Sequence, residues 1–273
     1  MQKLCKIGFP EKEHIPALKK LWADVFGDDE KVIDSFFENT FSVSKTVCAF
    51  YDNEPISVLY AIESAIFYQE KEYSAYYIYA VCTHPDYRGK GLMKHTFAFL
   101  EEIAKGRFIS YFYLVPAEKS LFNLYGSLGF ETAFSYTEAE VKAPEQVTES
   151  DFTLGVDYGL YKGLRLEEQK NPIVVLGELG FDSFVPGQPL GGVFTISVGD
   201  KGYAVLEQQT DRLVAQELFG DEAAVLNGVF AYTKAEKIIL RRPAEKGGIP
   251  LGMLKSIDGS PILENGFIGS YGG

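Results

Sequence analysis

The stretch that most constrains this chain is Ala75–Thr83 (AYYIYAVCT), an almost wholly apolar and aromatic run. It leads directly into His84-Pro85-Asp86-Tyr87-Arg88-Gly89-Lys90-Gly91. A run of this kind, closed by a proline turn, reads as a central strand buried on both faces. Such a strand needs cover on two sides. After the loop, Leu92, Phe97, Phe99, Leu100 and Ile103 supply apolar surface for a helix over Lys90–Lys105. Buried strand, glycine loop and helix therefore follow one another without a gap.

That order has a chemical consequence. The first N–H groups of a helix have no intrahelical acceptor and point outward. The helix dipole adds roughly half a positive charge there. Gly89 and Gly91 let the backbone approach a ligand closely, and Arg88 and Lys90 add mobile cations. Together these residues read as a cradle for a pyrophosphate. A short Arg-Gly-Lys-Gly also fits an ordinary surface loop with solvated cations, and that alternative stays open.

The rest of the first half alternates between helical and strand patterns. Residues 14–26 repeat apolar positions at helical spacing, and a second helix capped by Asp28 or Asp29 extends through Phe41. Thr46–Tyr51 and Ile56–Tyr68 read as strands around Asp52-Asn53-Glu54-Pro55. Phe108–Val115 is a strand and Glu118–Leu128 a short helix ended by Gly129; Phe130–Ala139 is again strand. The polar run Lys142–Ser150 reads as a linker between domains 1–142 and 151–273. The second half begins with helical segments up to about Phe184. Strands Gly192–Val198, Gly202–Gln208 and Arg212–Phe219, helix Glu222–Tyr232 and strand Lys237–Arg241 follow. Hairpin, long strand, helix, strand thus occurs in both halves, as in a diverged internal repeat.

Composition narrows the function classes. The 273 residues are 46% apolar and 23% charged, enough for a packed core in about two domains. Acidic residues outnumber basic ones 38 to 26, a net charge of −12, and the only compact basic spot is Arg88 to Lys94. That spot is too small for a nucleic-acid footprint and suits one phosphorylated small molecule. No apolar run reaches the ~18 residues of a membrane helix, and no h-region follows Met1. Cys5, Cys48 and Cys82 are scattered, which fits a reduced, cytoplasmic protein using thiols as small apolar residues.

Arg88-x-x-Gly91-x-Met93 after a buried strand resembles the acetyl-CoA pyrophosphate loop of the GCN5-related N-acetyltransferases (GNATs). Thr83-x-Pro85 and the later block Asn123-Leu124-Tyr125-Gly126-Ser127-Leu128-Gly129-Phe130 are similar to that family as well. Met93 stands where the family usually has Gly or Ala. The tandem second half looks most like the enhanced-intracellular-survival branch, and the resemblance implies an α+β class in α/β/α layers: a GNAT fold with a central mixed, mostly antiparallel sheet, followed by a second, degenerate GNAT-like domain.

The resemblance implies an acetyl-CoA-dependent N-acetyltransferase that passes the acetyl group directly to an amine acceptor, a small molecule or peptide, with no metal, nucleic-acid or membrane partner. Backbone groups of Val81 and Thr83 would hold the acetyl carbonyl and pantetheine. Backbone N–H groups of Arg88, Gly89, Lys90, Gly91, Leu92 and Met93 would hold the pyrophosphate. Ser120 and Asn123 would lie near the thioester, and Tyr125 would protonate the leaving thiolate. A core aromatic is the alternative for Tyr125. The helix opening Gly220-Asp221-Glu222 has carboxylates where a pyrophosphate would sit, so the second half reads as non-catalytic. Longer members are said to use a C-terminal carboxylate as base, a role left in doubt for Gly273 in this shorter chain.

A general base is harder to name. The central strand carries no Glu, and Glu63 inside Leu59–Ile66 would serve if it faced the cleft and burial raised its pKa. The solvent side of a sheet suits it equally, and water could relay the proton. His84 and His95 read as structural or surface groups. Cys82 lacks an activating neighbour and reads as a buried thiol. Tyr76, Tyr77 and Tyr79 read as core, with an aromatic-lined amine pocket as the alternative. A CoA-binding regulatory module and an interaction scaffold, both without turnover, are the rival readings.

Overall fold

The computed structural model describes residues 5–148, 151–168, 170–244 and 247–269. It is a mixed α+β fold that divides into two units. The first comprises Met1–Ala65, Tyr73–Glu131 and Met253–Ile262; the second comprises Ile66–Glu72, Thr132–Gly252 and Leu263–Gly273.

The first unit opens with β1 (Lys6–Gly8), α1 (Ile15–Phe26) and α2 (Glu30–Asn39). Gly27 at φ +72° ends α1, and Asp29 caps α2 by accepting from the Lys31 N–H at 2.8 Å. β2 (Thr46–Tyr51), β3 (Glu54–Tyr68) and β4 (Lys71–Thr83) form antiparallel hairpins. Then come α3 (Leu92–Gly106), β5 (Tyr111–Leu114) and α4 (Lys119–Gly126). Adjacent residues of β4 face opposite ways, which builds the three layers. Tyr76 and Ile78 pack with Phe97 and Leu100 of α3, whereas Tyr79 meets Trp22 of α1 at 5.4 Å and Phe36 of α2 at 5.7 Å.

The second unit holds β6 (Glu131–Lys142), β7 (Thr153–Leu154), α5 (Tyr158–Glu167), β8 (Ile173–Leu176), α6 (Glu178–Phe184), β9 (Val193–Val198), β10 (Gly202–Gln208), β11 (Leu213–Gly220), α7 (Glu222–Thr233), β12 (Lys237–Pro243) and the start of β13 (Ile249–Ser256). Its strand order is β6-β12-β11-β10-β9-β7, and β11 and β12 run parallel. One face packs on α7 through Ile196, Leu206, Val225 and Val229. The other face buries Arg165 of α5 against Glu217 of β11, both fully inaccessible. The Arg165 guanidinium also donates to the Val174 carbonyl at 2.7 Å and lies 4.7 Å from the Tyr161 ring. The charge is thus taken up by hydrogen bonds and ring faces rather than by water.

Two elements depart from the sequence reading. β8 (IVVL, all four residues buried) interrupts what reads as a helical stretch up to Phe184. β13 lies where no element is expected. Its second half joins the first unit: Met253–Ser256 pairs antiparallel with Leu114–Tyr111 of β5. The division therefore does not fall at one cut after residue 142, because β5 would otherwise be an open edge on that side. Among the described residues no helix is long and apolar enough to cross a membrane.

Candidate functional site

In the first unit β4 and β5 are parallel, paired from Ala75↔Tyr111 to Tyr77↔Tyr113. Beyond that point Ala80 has φ +44°, a left-handed backbone that is rare for a residue with a side chain. Ala75 to Ile78 are buried, but Tyr79, Ala80 and Val81 are only half-buried. On its other edge the end of β4 stays tied to β3: Ser57 Oγ lies 3.2 Å from the Cys82 carbonyl and 2.7 Å from Thr83 Oγ1, and the His84 N–H donates to the Ile56 carbonyl at 2.8 Å. This is the carboxyl end of two parallel strands, the usual place for a ligand cleft in open sheets.

The loop at the mouth of this cleft is built by local bonds. His84 Nδ1 accepts from the Asp86 N–H at 3.3 Å and caps a 3-10 turn, Pro85–Tyr87. The Arg88 N–H closes that turn on the Pro85 carbonyl at 3.2 Å. Arg88 is thus the one residue of the expected amide set whose N–H is already spent. Gly89 and Gly91 sit at φ +73° and +74°, and a Cβ at Gly89 would meet nothing within 4 Å, so backbone conformation rather than space selects glycine. Gly91 is the N-cap of α3 and offers no side-chain acceptor. Among the described residues, the amides of Gly89, Lys90, Gly91, Leu92 and Met93 donate to no protein acceptor. This turn can accept an anion without displacing an internal bond.

The two cations take different postures. Arg88 Nε donates to the Thr83 carbonyl at 3.1 Å, which fixes an otherwise exposed side chain beside the strand end. Lys90 Nζ folds back to the Asp86 carbonyl at 2.9 Å and lies 4.6 Å from the centre of the Tyr87 ring. Arg88 is thereby anchored through Nε at an exposed position.

Tyr125, on the last turn of α4, is 7% exposed, with its ring edge-on to Phe97 at 6.2 Å and to Phe130 at 5.9 Å. Burial, and then the nearby Cys82 thiol, push its phenol up to about 12. The phenol is therefore a proton donor throughout the neutral range. Burial also pushes the Cys82 thiol up to about 12, offset in part by Arg88, so no thiolate is available at neutral pH. Ser120 and Asn123 are both exposed on α4; Ser120 Oγ donates to Glu118 Oε2 at 3.2 Å.

Glu63 sits elsewhere. Its side chain is 57% exposed and pairs with Lys45 Nζ at 2.8 Å. Its neighbour Ser64 donates to the Ala75 carbonyl at 3.1 Å, so Glu63 lies level with the part of β4 still paired to β5. Ala80 is some four or five residues further along, about 15 Å at strand rise. Gly273 lies outside the described residues. The left-handed Ala80 and the inserted segment Met253–Ile262 are the features that sequence reasoning missed. The Tyr111 hydroxyl, for example, donates to the Pro261 carbonyl at 2.6 Å.

The second unit repeats the order of elements but ends differently. Asp221 caps α7 by accepting from the Ala224 N–H at 3.1 Å, and Glu222 in the first turn pairs with Arg242 at 2.7 Å.

A parallel ladder that ends beside an uncapped helix N-terminus is thus the arrangement the first unit offers to an anion. Residues 7–133 match the family model described as an acetyltransferase (GNAT) domain. Over nearly its whole length the chain shares its fold with solved structures of such proteins. A probable N-acyltransferase from Enterococcus faecalis superposes with a TM-score of 0.70 at 14% identity, covering 94% of this chain and 73% of that one. A GCN5-related N-acetyltransferase from Kribbella flavida gives 0.69 at 14% identity, covering 92% and 70%. Eis1 from Mycobacterium abscessus gives 0.64 at 15%, covering 93% and 74%. No curated protein matches by sequence.

Proposed function

We propose that this protein is an acetyl-CoA-dependent N-acetyltransferase that delivers the acetyl group directly to an amine acceptor, a small molecule or peptide, bound at the same time. The observation that carries the reading is the α3 N-terminus, whose cap is a glycine and whose first amides are unspent. Gly89 to Met93 would bind the pyrophosphate through their N–H groups, aided by Arg88 and Lys90. Backbone groups of Val81 and Thr83, where β4 leaves β5, would orient the acetyl and pantetheine portions. Tyr125 would give its proton to the departing thiolate, a step suited to a buried phenol that stays protonated. The protonated state of Cys82 supports direct transfer over an acyl-enzyme. Ser120 and Asn123 would act from the solvent side of α4.

The exposed, ion-paired position of Glu63 does not favour it as the base, and an amine deprotonated through water fits the cleft better. The same position favours a second reading, a CoA-binding regulatory module without turnover. In both readings the second unit is non-catalytic. Thioester consumption with an amine panel separates them: release of free CoA that depends on an added amine supports the transferase, and CoA binding without release supports the module. Native mass spectrometry showing no retention of CoA would remove both.

A further inference from the structure

We propose that the second unit holds a binding site for a free amino acid with an apolar side chain, in the cavity at the carboxyl ends of β11 and β12. These two strands are parallel and paired at Val214↔Ile239 and Ala215↔Leu240. Past that ladder they line a cavity of about 210 Å³. The cavity occupies the place in this unit that the β4–β5 cleft occupies in the first. Coenzyme A is excluded from it. The start of α7 already carries Asp221 and Glu222, which repel phosphate. The volume of about 210 Å³ suits a ligand of amino-acid size.

The walls define the ligand. Ile173, Leu218, Phe219, Leu240 and Phe267 make the apolar part. The buried Arg165 guanidinium lies 4.8 Å from the Phe219 ring centre and 5.9 Å from that of Phe267. It draws on the negative faces of these rings, so an apolar group is favoured against them over an ammonium. At the rim, Arg241 is spent on Glu138 at 3.1 Å and on Gln216. Arg242 is 43% exposed and is held by one nitrogen on Glu222, leaving donors for a carboxylate. Glu168 and Asn171 line the cavity with no side-chain hydrogen bond or ion pair among the described residues. They can take an ammonium. One available cation, one available carboxylate and an apolar floor match a zwitterion with an apolar side chain. A ligand with a single charge leaves one of the two ends unmatched.

The test is calorimetry on the full-length protein with L-leucine and L-phenylalanine, beside phenylacetate and phenethylamine as half-ligands. Two variants, Arg242→Gln and Leu218→Trp, are compared at matched thermal midpoints. Support is saturable binding of an apolar L-amino acid that weakens about tenfold to hundredfold in Arg242→Gln, disappears in the cavity-filling Leu218→Trp, and exceeds that of both half-ligands. The proposal is overturned by no binding at about 10 mM amino acid, by binding that both variants retain, or by half-ligands that bind as well as the amino acid. Retention of CoA is measured separately, so failure here leaves the reading of the first unit untouched.

Discussion

Truncating Leu254 to alanine tests whether the first unit depends on a strand drawn from the far end of the chain. Leu254 is fully buried and pairs with Tyr113 of β5, while its neighbours Met253 and Ile257 belong to the core that includes Phe97, Phe112 and Tyr125. Removing three buried carbon groups costs about 2.4 kcal/mol in transfer energy, and the cavity left behind brings the total to about 3 kcal/mol. With a urea m-value of about 2 kcal/mol/M, the midpoint should fall by about 1.5 M. The assay is the fluorescence of Trp22, the sole tryptophan, which packs in α1 of the first unit. A substitution near the C-terminus is thus read by a probe near the N-terminus. An unchanged Trp22 transition in Leu254→Ala, within about 0.5 kcal/mol, would refute the claim that Met253–Ile262 completes this unit.

Other expectations follow from the same geometry. Arg88→Ala should weaken CoA about tenfold to hundredfold by calorimetry, because one charge-assisted bond is lost while its anchor on Thr83 shows the side chain is already oriented. Tyr125→Phe should lower turnover with CoA affinity nearly unchanged; equal turnover in steady-state assays removes the phenol from the reaction. Gly91→Ala should cost about 1 kcal/mol in stability through its positive φ alone, since a Cβ there meets nothing closer than His95 at 4.0 Å. Alkaline pH should destabilise the fold. The Cys82 thiol is raised from 9.0 to about 12, so the folded state holds this proton more tightly than the unfolded one. Its contribution is complete below pH 9.0 and lost as pH climbs towards 12. Denaturation midpoints across that window should fall, and less so in Cys82→Ala.

The legible parts of this chain were those encoded locally. Ala75–Thr83 announces a buried strand because nine adjacent residues agree, and Gly89 and Gly91 announce their loop because their positive φ requires glycine. β8 was hidden because four apolar residues between two helices fit either period. β13 was hidden because its partner Tyr111–Leu114 lies some 140 residues earlier, and Gly252 interrupts its pattern. The face of Glu63 was not legible, because alternation fixes which residues share a face but not which face meets the cleft. In the structure Glu63 is exposed and paired with Lys45, and the Ser64–Ala75 bond gives its level along β4. Nor did spacing indicate that Tyr125 and Cys82, forty-three positions apart, share one buried environment.

The two units show how little separates a helix that receives an anion from one that refuses it. Both place a helix between the two strands of a parallel pair. At α3 the cap is a left-handed glycine, so the dipole and the first amides are left unsatisfied by the protein and Arg88 stands alongside. At α7 the cap is Asp221 in an extended conformation, its carboxylate occupies an amide, and Glu222, held by one nitrogen of Arg242, adds a second negative charge. A side-chain cap typically contributes about 1 kcal/mol to its helix and a dipole-matched acid some tenths more. With glycine at the cap, α3 forgoes a few tenths of a kcal/mol of that stabilisation, about the difference between a side-chain cap and glycine. The deficit is intelligible if a ligand supplies the missing charge, and in that case α3 should gain order on CoA binding while α7 gains none.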